Sequence, residues 1–248
     1  MSERQAQYLH LMGITRWREC VPKATAAVSP AALEQPELAP DAALAALAEE
    51  VATCTRCPLH ASRKQTVFGI GPASARLMLI GEAPGEREDQ QGEPFVGPAG
   101  QLLNAMLRAI DLRREDAYIA NILNCRPPRN RDPDAAETEA CTGYLWRQLD
   151  LVRPQLVVAL GRVAAQYLLR TTTPLERLRG QVHEFGQGAG ASARASTTSQ
   201  PFVATYHPAY LLRSPGEKSR SWEDLKLIRA VLDKSSCIAK GGAGEHSA

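Results

Sequence analysis

Leu77-Met78-Leu79-Ile80-Gly81-Glu82-Ala83-Pro84-Gly85 is the stretch that decides the fold. Its leading apolar residues run without alternation, as in a strand buried on both faces, and Gly81 to Gly85 supplies the turn that ends it. Working outward, the same grammar repeats. Ala99, Leu102, Leu103, Met106, Leu107 and Ile110 recur at helical spacing ahead of a second strand, Tyr118-Ile119-Ala120-Asn121-Ile122-Leu123. A helix around Ala135 to Leu149 leads to Leu156-Val157-Val158-Ala159-Leu160, which stops at Gly161 and passes into a helix from Val163 to Leu169. Phe202-Val203-Ala204-Thr205 precedes a last helix near Trp222 to Leu232. Continuous apolar strands alternating with helices predict an α/β fold, a three-layer αβα sandwich around a central, mainly parallel four-stranded sheet. Sites in such sheets open at the carboxyl ends of the strands.

The 248 residues include 44% apolar and 5% aromatic side chains, ordinary for a globular chain, and the net charge of +2 does not by itself announce nucleic acid. Met1-Ser2-Glu3-Arg4 opens no apolar leader, and no run approaches the roughly 18 apolar residues of a membrane span, so a cytoplasmic monomer with no membrane partner is expected. Residues 1–40 read as an extension, in which Tyr8, Leu9, Met12, Ile14 and Trp17 form a short amphipathic piece, followed by an Ala/Pro-rich linker. The domain is expected over 41–236 and a flexible tail over 237–248. Gly186 to Gln200, with Arg194 as its only charge, reads as a mobile loop.

Cys54 and Cys57 form a C-x-x-C, which places two thiolates on one tight turn, and Cys125 and Cys141 complete a set of four. Zinc sites usually supply their second pair as another short C-x-x-C. Here fifteen residues separate Cys125 from Cys141, so the spacing favours an iron-sulfur cluster while leaving zinc open. A reducing compartment disfavours disulfides. Cys20 and Cys237 fall outside the constellation.

Several polar groups lie where the strands end. Glu82 follows the first strand directly, and Glu88 and Asp89 follow the turn at Pro84 and Gly85; they suit either water positioning or a solvated acidic loop. Phe95 stands in a polar loop, as a stacking platform or as a plug over the core. Asn121 in an apolar strand must bond backbone or reach a ligand, and such an amide can read a base edge. His207, held extended by Pro208, is presented at the end of the fourth strand. Gly97-Pro98-Ala99-Gly100 opens a helix whose free N–H groups suit an anion. Arg126, Arg129, Arg131, Arg213, Lys218 and Arg220 fall on the same side, as a phosphate grip or as ordinary solvated charge.

Taken together, Gly81-Glu82-Ala83-Pro84-Gly85 with Glu88-Asp89, then Gly92-x-Pro94-Phe95-Val96-Gly97-x-Ala99-Gly100, Asn121 ahead of Cys125-Arg126-Pro127-Pro128, and His207-Pro208-Ala209-Tyr210-Leu211-Leu212-Arg213 resemble the family 4 uracil-DNA glycosylases over about residues 41–234. The resemblance implies a [4Fe-4S] cluster on Cys54, Cys57, Cys125 and Cys141 and hydrolysis of the N-glycosidic bond of a uracil flipped out of DNA. It implies a pocket of Gly81, Ala83, Glu88, Phe95 and Asn121: Phe95 stacks on uracil, Asn121 bonds its pairing edge, and Glu88 lies where thymine's methyl is refused. His207 would stabilise charge growing on O2. Better-known relatives carry a water-activating side chain at the position of Ala83, so Glu82 is expected to orient the water. Arg126 and Arg129 would meet DNA, while Leu211, Leu212 and Arg213 would enter the duplex.

One rival reading is a member of the same superfamily that traps uracil-DNA covalently through its histidine. Such proteins carry a basic insertion before it, whereas Thr205-Tyr206-His207 leaves its strand directly. Another is an iron-sulfur redox protein that binds nucleotides, which predicts reversible redox change and no base release.

Overall fold

A computed structural model describes residues 39–185 and 200–241, with side chains for 39–184 and 200–234. The amphipathic piece near Tyr8, the linker up to Leu38, Cys20, the loop 186–199 and the last residues lie outside the described set.

Five strands form one sheet: β1 (Leu77–Gly81), β2 (Ala117–Asn121), β3 (Leu156–Leu160), β4 (Val182–Phe185) and β5 (Gln200–Thr205), in the order β2-β1-β3-β5-β4. β1, β2, β3 and β5 are parallel and β4 joins β5 antiparallel. Every residue of β1, β2 and β3 is buried, as their unbroken apolar runs require. The expected sheet of four becomes five because β4 is a short edge strand of mixed polarity.

The helices are α1 (Pro40–Ala52), α2 (Glu86–Gln91), α3 (Pro98–Arg108), α4 (Ala135–Val152), α5 (Arg162–Leu169), α6 (Leu175–Leu178), α7 (Pro208–Arg213) and α8 (Lys218–Gly241). The backbone of α8 therefore continues through residues that read as tail. From β1 the chain crosses through α3 to β2 on one side of β1, then through α4 to β3 on the other. Right-handed crossovers in opposite directions put α3 and α4 on opposite faces, which makes the three layers. On one face Leu77, Leu79, Val158 and Leu160 meet Leu103, Met106 and Leu107 of α3 and Leu225 and Ile228 of α8. On the other, α4 packs on β2 and against α1. The strand order reverses between β1 and β3, and a crevice at their carboxyl ends is the place such a sheet offers a ligand.

Candidate active site

The crevice is there. A cleft of about 640 Å3 opens at the carboxyl ends of β1, β2, β3 and β5, lined by Glu82, Ala83, Glu88, Phe95, Asn121 and His207 among others. They come from the turn after β1, the segment 88–95 that follows it, the end of β2 and the end of β5, so the juxtaposition is made by the sheet. Gly81 allows it: a Cβ there would collide with Oδ1 of Asn121 and come within 2.9 Å of Cζ of Phe95. Asn121 is buried, 3% exposed, yet its amide has no hydrogen-bond partner among the described residues, and it lines the cleft. The rings of Phe95 and His207 meet with centroids 5.5 Å apart and planes inclined by 30°.

His207 caps α7 with its own side chain, because Nδ1 accepts the N–H of Ala209 at 3.1 Å. A neutral imidazole that accepts at Nδ1 carries its proton on Nε2. Burial pushes the ring's pKa down to about 4, with Arg213 lowering it further against an opposing pull from Glu88. Near neutral pH His207 is thus an uncharged N–H donor. Glu82 is shifted the other way: burial raises its carboxyl to about 7, Asp132 adds to the rise, and Arg162 offsets it. Asp132 and Arg162, paired at 2.9 Å on the cleft wall, were not flagged by the sequence. Only the position of Arg162 just after Gly161, at the end of β3, could have drawn attention to them.

Glu88 is no solvated charge. Its Oε1 accepts the N–H groups of Val96 and Gly97 at 3.0 and 3.1 Å, so the anion at the start of α3 is this carboxylate and not a ligand. Asp89 is 3% exposed, accepts the amide of Lys64 at 2.9 Å and is absent from the cleft lining.

A model of the uracil DNA glycosylase superfamily matches residues 68–226, the span that holds the sheet and this cleft. The chain belongs to the uracil-DNA glycosylase superfamily. Among similar proteins, a type-4 uracil-DNA glycosylase of Archaeoglobus fulgidus is 42% identical over 192 residues, covering 76% of this chain and 92% of that one. One of Thermotoga maritima is 37% identical over 191 residues, 76% of this chain and 94% of that protein. A type-5 uracil-DNA glycosylase of Pyrobaculum aerophilum is 30% identical over 216 residues. The type-4 branch is therefore where this uracil-DNA glycosylase sits.

The segment expected to enter DNA needs one correction. Leu211 is 1% exposed and anchors α7 in the core, because a helix starting at Pro208 turns that position inward. Leu212, 44% exposed, and Arg213 are the residues of this uracil-DNA glycosylase that face outward. Around the rim Arg126 bonds Asn130 Oδ1 at 2.8 Å, Arg131 is taken by Glu137 at 2.6 Å and Arg220 by Glu217. Arg129 and Arg213 have no ion-pair partner among the described residues, which leaves them available to an anion.

The four cysteines of the glycosylase gather around a small hollow with Arg63, Asn124 and Tyr144. Cys125 and Cys141 are buried, Cys54 and Cys57 half-buried, and all four are free thiols. Their sulfurs meet donors: Arg63 Nη1 reaches Cys125 Sγ at 3.2 Å, and the backbone and side-chain N–H groups of Asn124 reach Cys141 Sγ at 3.3 and 3.4 Å. Such donors suit thiolate charge, while burial, chiefly, with the neighbouring cysteines adding to it, pushes Cys141 up to about 12 against the Asn124 hydrogen bond. Among the described residues no three His, Cys, Asp or Glu side chains are gathered to hold a single metal ion. Four sulfurs lining one hollow are a donor set that suits a thiolate-held metal group.

Among the described residues no helix is long and apolar enough to cross a membrane.

Proposed function

We propose that this chain flips uracil out of DNA into the cleft and hydrolyses its N-glycosidic bond, leaving an abasic site. The observation that carries the reading is the meeting of Phe95, an unpartnered Asn121 amide and the Nε2 donor of His207 in one cleft. Phe95 supplies a flat apolar face for the base. The Asn121 amide complements the uracil pairing edge, donating to O4 and accepting from N3–H. As the N1–C1′ bond breaks, its electron pair moves into the ring, and the Nε2–H of His207 donates to O2 where the charge collects. Water adds at C1′ with Glu82 orienting it, and the proton it releases neutralises the departing uracil anion by way of solvent. Glu88, locked on the loop amides, closes the side of the pocket where a 5-methyl group would lie. Leu212 and Arg213 fill the gap left by the flipped base, and Arg126 and Arg129 meet phosphates.

Cys54, Cys57, Cys125 and Cys141 would hold a [4Fe-4S] cluster. That group would act as a staple, since hydrolysis transfers no electrons; the chain's own part is to fix the loop that carries Arg126 and Arg129.

The test is a glycosylase assay on uracil opposite guanine, uracil opposite adenine, single-stranded uracil and thymine opposite guanine. Uracil release with an alkali-cleavable abasic site, and no thymine release, is expected. A persistent protein–DNA band on a denaturing gel would instead favour the covalent trap.

The pH dependence supplies a second test. If the ionised Glu82 orients water, the single-turnover rate climbs with pH up to about 7 and then levels, and Glu82→Gln removes that limb. Stability runs the opposite way: a carboxyl whose folded pKa is raised from 4.5 to about 7 favours the protonated form, so its contribution is full below 4.5 and declines as pH rises through 7. A rate independent of pH between 5 and 8 would remove Glu82 from the chemistry.

A further inference from the structure

Phe95 presents its ring from a backbone it would not choose. Its φ of 54° lies in the left-handed region, which a bulky side chain occupies only when its surroundings hold it there. Those surroundings form a clamp. Glu88 takes the N–H groups of Val96 and Gly97. Helix α3 abuts the loop directly, for a Cβ at Gly100 would collide with the carbonyl of Phe95. The third jaw is Arg114, in the turn Arg114–Asp116 just before β2. Its Nη2 donates to the carbonyl of Pro94 at 2.5 Å, and its Nη1 donates to the carbonyl of Phe95 and to Oδ1 of Asn104, each at 3.3 Å.

We propose that Arg114, outside every motif the sequence displays, is a positioning residue for base recognition: by holding two successive carbonyls it fixes Phe95 in its left-handed turn, with the ring against that of His207 at the cleft. This rests on the reading of Phe95 as the surface on which uracil stacks. The choice of side chain is chemical. Neighbouring carbonyls and a side-chain oxygen need a planar fork with several N–H groups, which a lysine's single ammonium point does not reproduce. Arg114 is itself half-buried, and burial lowers its pKa against the opposing pulls of Glu93 and Glu115, as expected of a guanidinium drawn into the structure to satisfy backbone.

The experiment measures inhibition by free uracil, and single-turnover uracil release, for the unaltered protein, Phe95→Ala, Arg114→Ala, Arg114→Lys and Phe95→Ala/Arg114→Ala. Phe95→Ala and Arg114→Ala are each expected to raise the uracil inhibition constant by about tenfold, with Arg114→Lys between Arg114→Ala and the unaltered protein. Adding Arg114→Ala to Phe95→Ala should change little, because a residue acting through the ring has nothing left to position. If Phe95→Ala leaves uracil inhibition unchanged, the stacking reading falls and the Arg114 assignment with it. If Phe95→Ala weakens inhibition but Arg114→Ala does not, or weakens it equally with and without the ring, only the Arg114 assignment is overturned. Should Arg114→Ala fail to fold, Arg114→Lys carries the same cycle.

Discussion

A His207→Leu protein is expected to release uracil about 10²–10³-fold more slowly in single turnover, the usual effect of removing one donor aimed at developing charge. The loss belongs to the bond-breaking step, because the donor matters most when the electron pair has moved onto the base. Binding to uracil-containing DNA, measured separately, should change little, since phosphate contacts supply most of it. The imidazole acts as a neutral donor: its pKa is pushed down to about 4, so it stays uncharged throughout the range in which Glu82 titrates. The acid limb near pH 7 should therefore survive in the small residual activity of the variant. Stability carries a separate signature. A histidine whose folded pKa lies below its unfolded 6.5 contributes stability that is full above 6.5 and disappears as pH falls through about 4, and the Leu variant should lose that dependence. Release at close to the unaltered rate would mean that charge on O2 is stabilised from elsewhere.

The sheet was legible wherever a strand is buried on both faces. Leu156–Leu160 begins and ends where its apolar run does, because nothing but burial decides its composition. Val182–Phe185 was missed for the opposite reason. It is an edge strand, Val182 is 46% exposed, and its polar residues carry no periodic signal over so short a span. The turn after Pro84 read as a loop, yet Glu86–Gln91 is helical, too short for periodicity to announce it.

At the site, Phe95, Asn121 and His207 could be placed because each follows or ends a recognisable strand or loop, and parallel strands bring such points together. Leu211 was expected to enter the duplex and is buried instead, since adjacent residues of a helix point apart and only the register of Pro208–Arg213 decides which leucine faces water. Arg63 and Arg114 were invisible for a further reason. Their work is done across the fold, Arg63 on Cys125 and Arg114 on the carbonyls of Pro94 and Phe95, and local spacing says nothing of such contacts.

Cys141→Ala should be the most damaging single change to the fold. Cys141 lies in α4, Cys125 in the loop after β2, and Cys54 and Cys57 in the turns after α1, so one bound group would tie three separate segments. Binding of that group to the folded state alone adds directly to folding free energy. Without it burial raises the Cys125 thiol and pushes Cys141 up to about 12, and loss of one ligand leaves three that cannot close the site. The expected result is a colourless protein of low soluble yield. Losing about 3–4 kcal/mol would lower the melting temperature by roughly 10 °C in a domain of this size. Uracil release per folded molecule should fall less than DNA affinity, because Arg126 and Arg129 lose their anchor while Asn121 and His207 keep theirs. Iron and sulfide content of the unaltered protein separates the cluster from zinc. A Cys141→Ala protein that stayed folded and fully active with neither metal bound would show that packing between α1 and α4 holds these segments without a staple.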